Sequence, residues 1–190
     1  MTREDTETGS GWPTSAVSSD ELNYGPPGMT APGARLWRDA PSGFLRFEST
    51  VVVGHGEETW AAASEAVLRW EVKTRSGFTV TADDGSGVAA REGGRYTVTA
   101  GLGPFAVREP VEVVAVVATP QRCGFAYGTR RGHPVSGEEA FVVHRDDDGR
   151  VLLTLRSLTR AAPAGLWRAL FLVLLLAQRR VRARYLRALT

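Results

Sequence analysis

The stretch from Phe78 to Leu158 alternates between apolar and polar residues with a period of two, which is typical of β-strands that bury one face. Short segments rich in Gly, Asp and Pro interrupt the alternation and have the composition of turns. Strands joined by such short connections pair with their neighbours in the chain, so the pattern predicts an antiparallel meander. The run Val111–Ala118 is the least polar and is expected inside the sheet. The strand-like runs are FTVTA, RYTVTA, VEVVAVVA, CGFAYGT, AFVVHR and VLLTLRSL.

Helical spacing of apolar residues occurs on both sides of this meander, after a further strand-like run at residues 44–53. Residues 57–73 combine an acidic first turn, which the helix dipole favours, with apolar residues on one face. A longer helix is predicted from Pro163 to the C-terminus, because one apolar stripe continues through it. Its first half, residues 169–177 (ALFLVLLLA), is apolar nearly all round, so we expect protein to cover it on more than one side. This run is too short to cross a bilayer, which requires about 20 residues.

An α+β fold satisfies this order of elements. We predict a curved antiparallel β-sheet wrapped around the long C-terminal helix, an arrangement known as a helix grip. The layout is similar to that of the START (SRPBCC) and Bet v 1-like superfamily, in which a cavity between sheet and helix holds apolar ligands. This likeness is one of architecture, and a fold does not by itself fix a function.

Composition divides the chain into a tail and one domain. Residues 1–21 are rich in Ser, Thr, Gly and acidic side chains, and we predict that this acidic tail is disordered. Residues 22–190 have the usual size of a single domain. Within them, residues 22–41 are punctuated by Gly and Pro but carry Tyr24 and Trp37, so this part is expected to lie on the domain as an extended arm.

Charge and cysteine content restrict the partners and the compartment. The net charge of +2 is too small to indicate a nucleic-acid partner. From Arg150 onward there are nine arginines and no acidic residue, which fits either a solvated helix face or a surface that contacts an anionic membrane or a protein. The single cysteine, Cys123, excludes an internal disulfide, and the N-terminus lacks the apolar stretch of a signal peptide. A cytoplasmic location is therefore expected.

The segment GFAYGTRRGHPVSGEEAF, from Gly124 to Phe141, is predicted to be a β-hairpin. It resembles the signature of the DUF1990 (UPF0548) family of uncharacterised, mostly bacterial and plant proteins. The resemblance implies a START-like fold and carries no established catalytic residues. It extends over about Leu22 to Thr190 and is supported by Asn23, Tyr24, Trp60, Trp70, Gln178, Arg184, Tyr185 and Leu186.

The hairpin also supplies the candidate ligand-binding residues. Phe125, Tyr127 and Thr129 share one face of their strand, because side chains alternate along a strand. If that face is inward, its aromatic rings line the cavity, although plain core packing explains them equally well. We therefore predict a cavity for a small hydrophobic ligand, with His133 and one glutamate at its mouth. The predicted ligand-binding residues are Trp60, Phe125, Tyr127, Thr129, His133, Phe141 and Leu174.

His133, Glu138 and Glu139 are the candidate catalytic residues, because a histidine beside a carboxylate can act as acid or base near neutral pH. Adjacent glutamates on a strand point to opposite faces, so only one of them can enter the cavity. The alternative is structural: the carboxylates accept hydrogen bonds from turn amides or pair with Arg130 or Arg131. No metal ligand set and no cofactor motif is present in the sequence.

The leading hypothesis is therefore that the protein binds a small hydrophobic ligand. The sequence fits this hypothesis better than it fits an enzyme. Two alternatives remain open at this stage. One is a cyclase- or hydrolase-like enzyme that uses His133 with Glu138 or Glu139. The other is an adaptor that meets a membrane surface or a protein through the arginine-rich last helix.

Overall fold

The computed structural model describes residues 22–38, 41–101, 103, 106–162 and 166–190. The predicted disordered tail, residues 1–21, and the predicted helix start at Pro163 lie outside these residues. The elements, in chain order, are β1 (Leu45–His55), α1 (Gly56–Leu68), α2 (Glu71–Thr74), β2 (Phe78–Ala82), β3 (Arg95–Ala100), β4 (Val107–Thr119), β5 (Arg122–Thr129), β6 (Val135–Arg145), β7 (Arg150–Ala161), α3 (Leu166–Ala169) and α4 (Phe171–Tyr185).

The strands form a curved antiparallel sheet in the order β1-β7-β6-β5-β4-β3-β2. From β2 to β7 each strand pairs with the next strand in the chain, and β1 joins the sheet beside β7. The α+β class and the predicted meander are thereby confirmed. Strand β4, which contains the least polar run, lies inside the sheet next to the central strand β5.

The predicted helix over residues 57–73 is wrong in one respect: the chain forms two helices with a break at Trp70. This residue has a left-handed backbone, with φ of 62°, and its indole ring is fully buried. The ring packs 4.4 Å from the ring of Phe125, measured between centroids. A non-glycine residue in this conformation costs free energy, and here the burial of a large aromatic side chain offsets the cost.

Helices α1, α2 and the end of α4 cover one face of the sheet. Their apolar side chains and those of the strands beneath them form a single core that extends from Trp60 to Tyr185. The N-terminal arm, residues 22–38, covers part of the other face, where Leu22 and Tyr24 pack against β5 and β6. The arm therefore lies on the sheet, as its aromatic residues predicted.

Helix α4 corrects a second expectation. Its apolar first half is not covered on more than one side, because Leu172, Val173 and Leu176 are 75, 62 and 64 % exposed. The opposite side of the helix, which carries Leu174 and Val181, faces the sheet. Among the described residues, no helix is both long and apolar enough to span a membrane.

Candidate functional site

A cavity of about 260 Å³ lies between the sheet and α4. It is larger than cavities of roughly 150 Å³ that are known to hold benzene in engineered proteins. Its apolar wall consists of one side of α4 and the facing strands, and its polar side chains come from α2, α4, the strands β4 to β7 and the turn between β5 and β6. The apolar lining includes Phe78, Val107, Leu158, Leu174, Ala177 and Val181.

A buried ion pair forms one part of the wall. The Lys73 ammonium lies 3.0 Å from Oε2 of Glu139 and donates a hydrogen bond of 2.6 Å to the hydroxyl of Tyr185. The Tyr127 hydroxyl donates to the same Glu139 oxygen. The ring faces of Tyr185 and Tyr127 lie 4.6 and 5.0 Å from the ammonium, measured to the centroids. The two buried charges therefore compensate each other, and the tyrosine hydroxyls supply hydrogen bonds that replace those lost with water.

The two tyrosines stay protonated at physiological pH. Burial, followed by the charge of Glu139, holds the pKa of each phenol well above its ordinary value. Tyr127 is thus a permanent donor to Glu139. This arrangement makes Glu139 a part of a fixed network more than a group that exchanges protons with a substrate.

Glu138 points to the opposite face of the sheet from Glu139, which confirms the prediction from strand alternation. Its Oε2 accepts hydrogen bonds from the Tyr24 hydroxyl at 2.8 Å and from the amides of Gly28 and Met29 at 2.8 and 3.2 Å. Its Oε1 accepts from the Thr30 amide at 2.7 Å and from the Thr30 hydroxyl. The carboxylate is saturated by the arm, and it pairs with neither Arg130 nor Arg131.

Close contact between the arm and β5 explains part of the hairpin signature. A Cβ on Gly128 would lie 2.2 Å from the Tyr24 hydroxyl, so the ring of Tyr24 requires a glycine beneath it. Asn23 then fastens the hairpin end: its Nδ2 donates to the carbonyls of Arg130 and Val135 at 3.2 and 3.1 Å. Asn23 and Tyr24 are far from Gly128 in the sequence but lie together with it where the arm contacts the hairpin.

His133 lies on the cavity wall and is neutral. Its Nδ1 is 3.0 Å from the carbonyl and 3.1 Å from the amide of Val135, so this nitrogen is engaged in either tautomer. Burial, and to a lesser degree the charge of Lys73, lowers the pKa of the imidazole to about 3. The Nε2 atom is the ring position that faces no protein partner within the described residues.

The predicted site residues divide into two groups. Tyr127, Thr129, His133 and Leu174 lie on the cavity wall, as does Glu139; Glu138 reaches the wall, but its carboxylate is held on the other face. Trp60, Phe125 and Phe141 instead lie in the core and are not among the cavity-lining residues. Other aromatic rings cover Phe125 and Phe141: the ring of Trp70 lies 4.4 Å from that of Phe125, and the ring of Tyr185 lies 5.2 Å from that of Phe141.

Sequence reasoning missed Lys73 and Glu109, both of which line the cavity. Lys73 is the single lysine in the chain, whose other basic side chains are arginine or histidine. This exception is the sequence feature that could have marked Lys73 as a candidate site residue. Glu109 was missed because β4 begins at Val107, four residues before the run from which the strand was predicted. Within the described part of the chain, no cluster of His, Cys, Asp or Glu is suited to hold a metal ion.

The sheet, the C-terminal helix and the cavity between them define a helix-grip α+β protein. The chain belongs to the DUF1990 family, described as a domain of unknown function, whose model matches residues 26–188. A UPF0548 protein of Deinococcus radiodurans is 33 % identical over 120 residues, which are 59 % of this chain and 60 % of that protein. The match thus spans less than two thirds of the relative's length.

Solved structures resemble the fold at low sequence identity. A hypothetical protein of Helicobacter pylori has a TM-score of 0.53 and 14 % identity, with 98 % of this chain and 97 % of that chain covered. The protein Ara h 8.0201 has a TM-score of 0.48 and 12 % identity over 77 % of this chain and 98 % of its own. The Helicobacter pylori structure supports the architecture alone.

Proposed function

We propose that this protein binds a small, largely apolar molecule in the cavity between the sheet and α4. The observation that carries the proposal is the cavity itself, which has a volume of about 260 Å³ and a predominantly apolar wall. A ligand of matching size packs against this wall, and the burial of its apolar surface supplies the binding free energy.

Binding is better supported than acid-base catalysis by His133 and the two glutamates. Glu138 is saturated on the other face by donors from Tyr24, Gly28, Met29 and Thr30. Glu139 is held by Lys73 and Tyr127. A pair of groups that must exchange protons with a substrate needs an available lone pair on one and a labile proton on the other. In this trio the donors from the arm occupy both oxygens of Glu138, and Oε2 of Glu139 already has two partners.

Native mass spectrometry of the purified protein tests the proposal. We expect a bound mass of a small organic molecule, and after its removal by refolding we expect uptake of an apolar compound such as octan-1-ol. Leu174→Trp narrows the cavity and should abolish that uptake, whereas Leu172→Trp, on the exposed side of the same helix, should not. A refolded wild-type protein that takes up no apolar compound contradicts the proposal.

A further inference from the structure

Glu109 is a carboxylate in a row of apolar side chains. It lies on β4 directly opposite Val98, which is fully buried. The neighbouring positions on the same face of β4, two residues away on either side, are Val107 and Val111. A valine would complete this row, so the fold does not require a charged group there.

The carboxylate of Glu109 is partly buried and lines the cavity. Within the described residues it forms no hydrogen bond and no ion pair, in contrast to Glu138 and Glu139. A partly buried carboxylate without a partner loses hydration that nothing in the protein replaces, and a donor on a ligand would replace it. Burial raises the pKa of Glu109, and the charge of Lys73 acts in the opposite direction.

We propose that Glu109 binds the polar end of the ligand and that this end is an uncharged hydroxyl group on an apolar body. This inference rests on the proposed function and specifies its ligand. A hydroxyl donates to a carboxylate and accepts from a carboxylic acid, so it pairs with Glu109 in either protonation state. His133 lies on the same cavity wall, and its imidazole offers a second polar contact.

Charged ends fit the cavity less well. A carboxylate would add a third negative group to Glu109 and Glu139, and the one lysine there is already bound by Glu139 and Tyr185. An ammonium ion would lie near the Lys73 charge, which acts on Glu109. Either charge would also have to leave water for an apolar wall. The hydroxyl avoids both penalties.

Calorimetric titration with four compounds of similar length tests the inference: octan-1-ol, 1-methoxyheptane, octanoate and octylamine. The ether has the same number of heavy atoms as the alcohol but no hydrogen to donate. At a pH at which Glu109 is ionised, we expect the alcohol to bind most tightly to the wild-type protein. Its Kd should be roughly tenfold below that of the ether, because the ether cannot donate a hydrogen bond to the charged carboxylate.

Two variants identify the group responsible. Glu109→Val completes the apolar row of β4 and should bind the alcohol and the ether equally. Glu65→Gln changes an exposed glutamate of α1 and should keep the wild-type preference. Equal binding of alcohol and ether by the wild-type protein, tightest binding of octanoate or octylamine, or a preference that survives Glu109→Val overturns the inference alone. Binding of none of the four compounds overturns the proposed function together with it.

Discussion

Glu138→Ala is expected to lower the free energy of unfolding by roughly 3–5 kcal/mol. The substitution removes the acceptor of five donors on the arm, three of which are backbone amides. Hydrogen bonds to a charged acceptor contribute about 1.5–3 kcal/mol each, and a set that shares one carboxylate adds up to less than the sum of its members. The measurement is urea denaturation followed by tryptophan fluorescence.

Two comparisons separate the loss of these bonds from a general effect of removing a carboxylate. Tyr24→Phe deletes one donor and should cost about 1 kcal/mol. Glu65→Gln, on an exposed surface pair, should change stability by less than about 0.5 kcal/mol. Amide hydrogen exchange should become faster at Gly28 and Thr30 in Glu138→Ala while the β5 amides keep their protection. A loss below about 1 kcal/mol in Glu138→Ala would show that the arm is not held by this residue.

Lys73→Met is expected to destabilise the protein by about 3–5 kcal/mol, because it leaves the buried carboxylate of Glu139 without its cation. The double variant Lys73→Met/Glu139→Leu removes both charges and should recover most of that loss, since an apolar pair of similar size needs no compensation. The measurement is the double-mutant cycle by denaturant unfolding. Equal losses in the single and the double variant would contradict an uncompensated charge as the cause.

Much of the fold could be predicted because its signals are local. The period-two runs locate the strands, and the Asp-Gly between β6 and β7 predicts their hairpin. The opposite orientations of Glu138 and Glu139 follow from strand geometry alone. These features depend on neighbours in the sequence, so no tertiary information was needed.

The rest depends on contacts between distant residues. The left-handed Trp70 is stable only because Phe125, Tyr96 and Tyr127 surround its ring, and no local pattern reveals them. The partner of Lys73 lies on β6, so the buried ion pair could not be read from the sequence of α2. The first half of the last helix was expected to be covered on more than one side because it is apolar nearly all round, but composition does not show which sides of a helix contact protein.

The central claim is that the space between the sheet and α4 is a binding site. Its most direct test is a fluorescence titration with the neutral apolar probe N-phenyl-1-naphthylamine. The account predicts saturable binding of one probe per chain to the wild-type protein. It also predicts loss of binding in Val181→Trp, which fills the cavity from α4, and retention of binding in Leu172→Trp on the exposed side. Wild-type protein that binds no probe, or Val181→Trp that folds and binds as tightly as wild type, would contradict the claim.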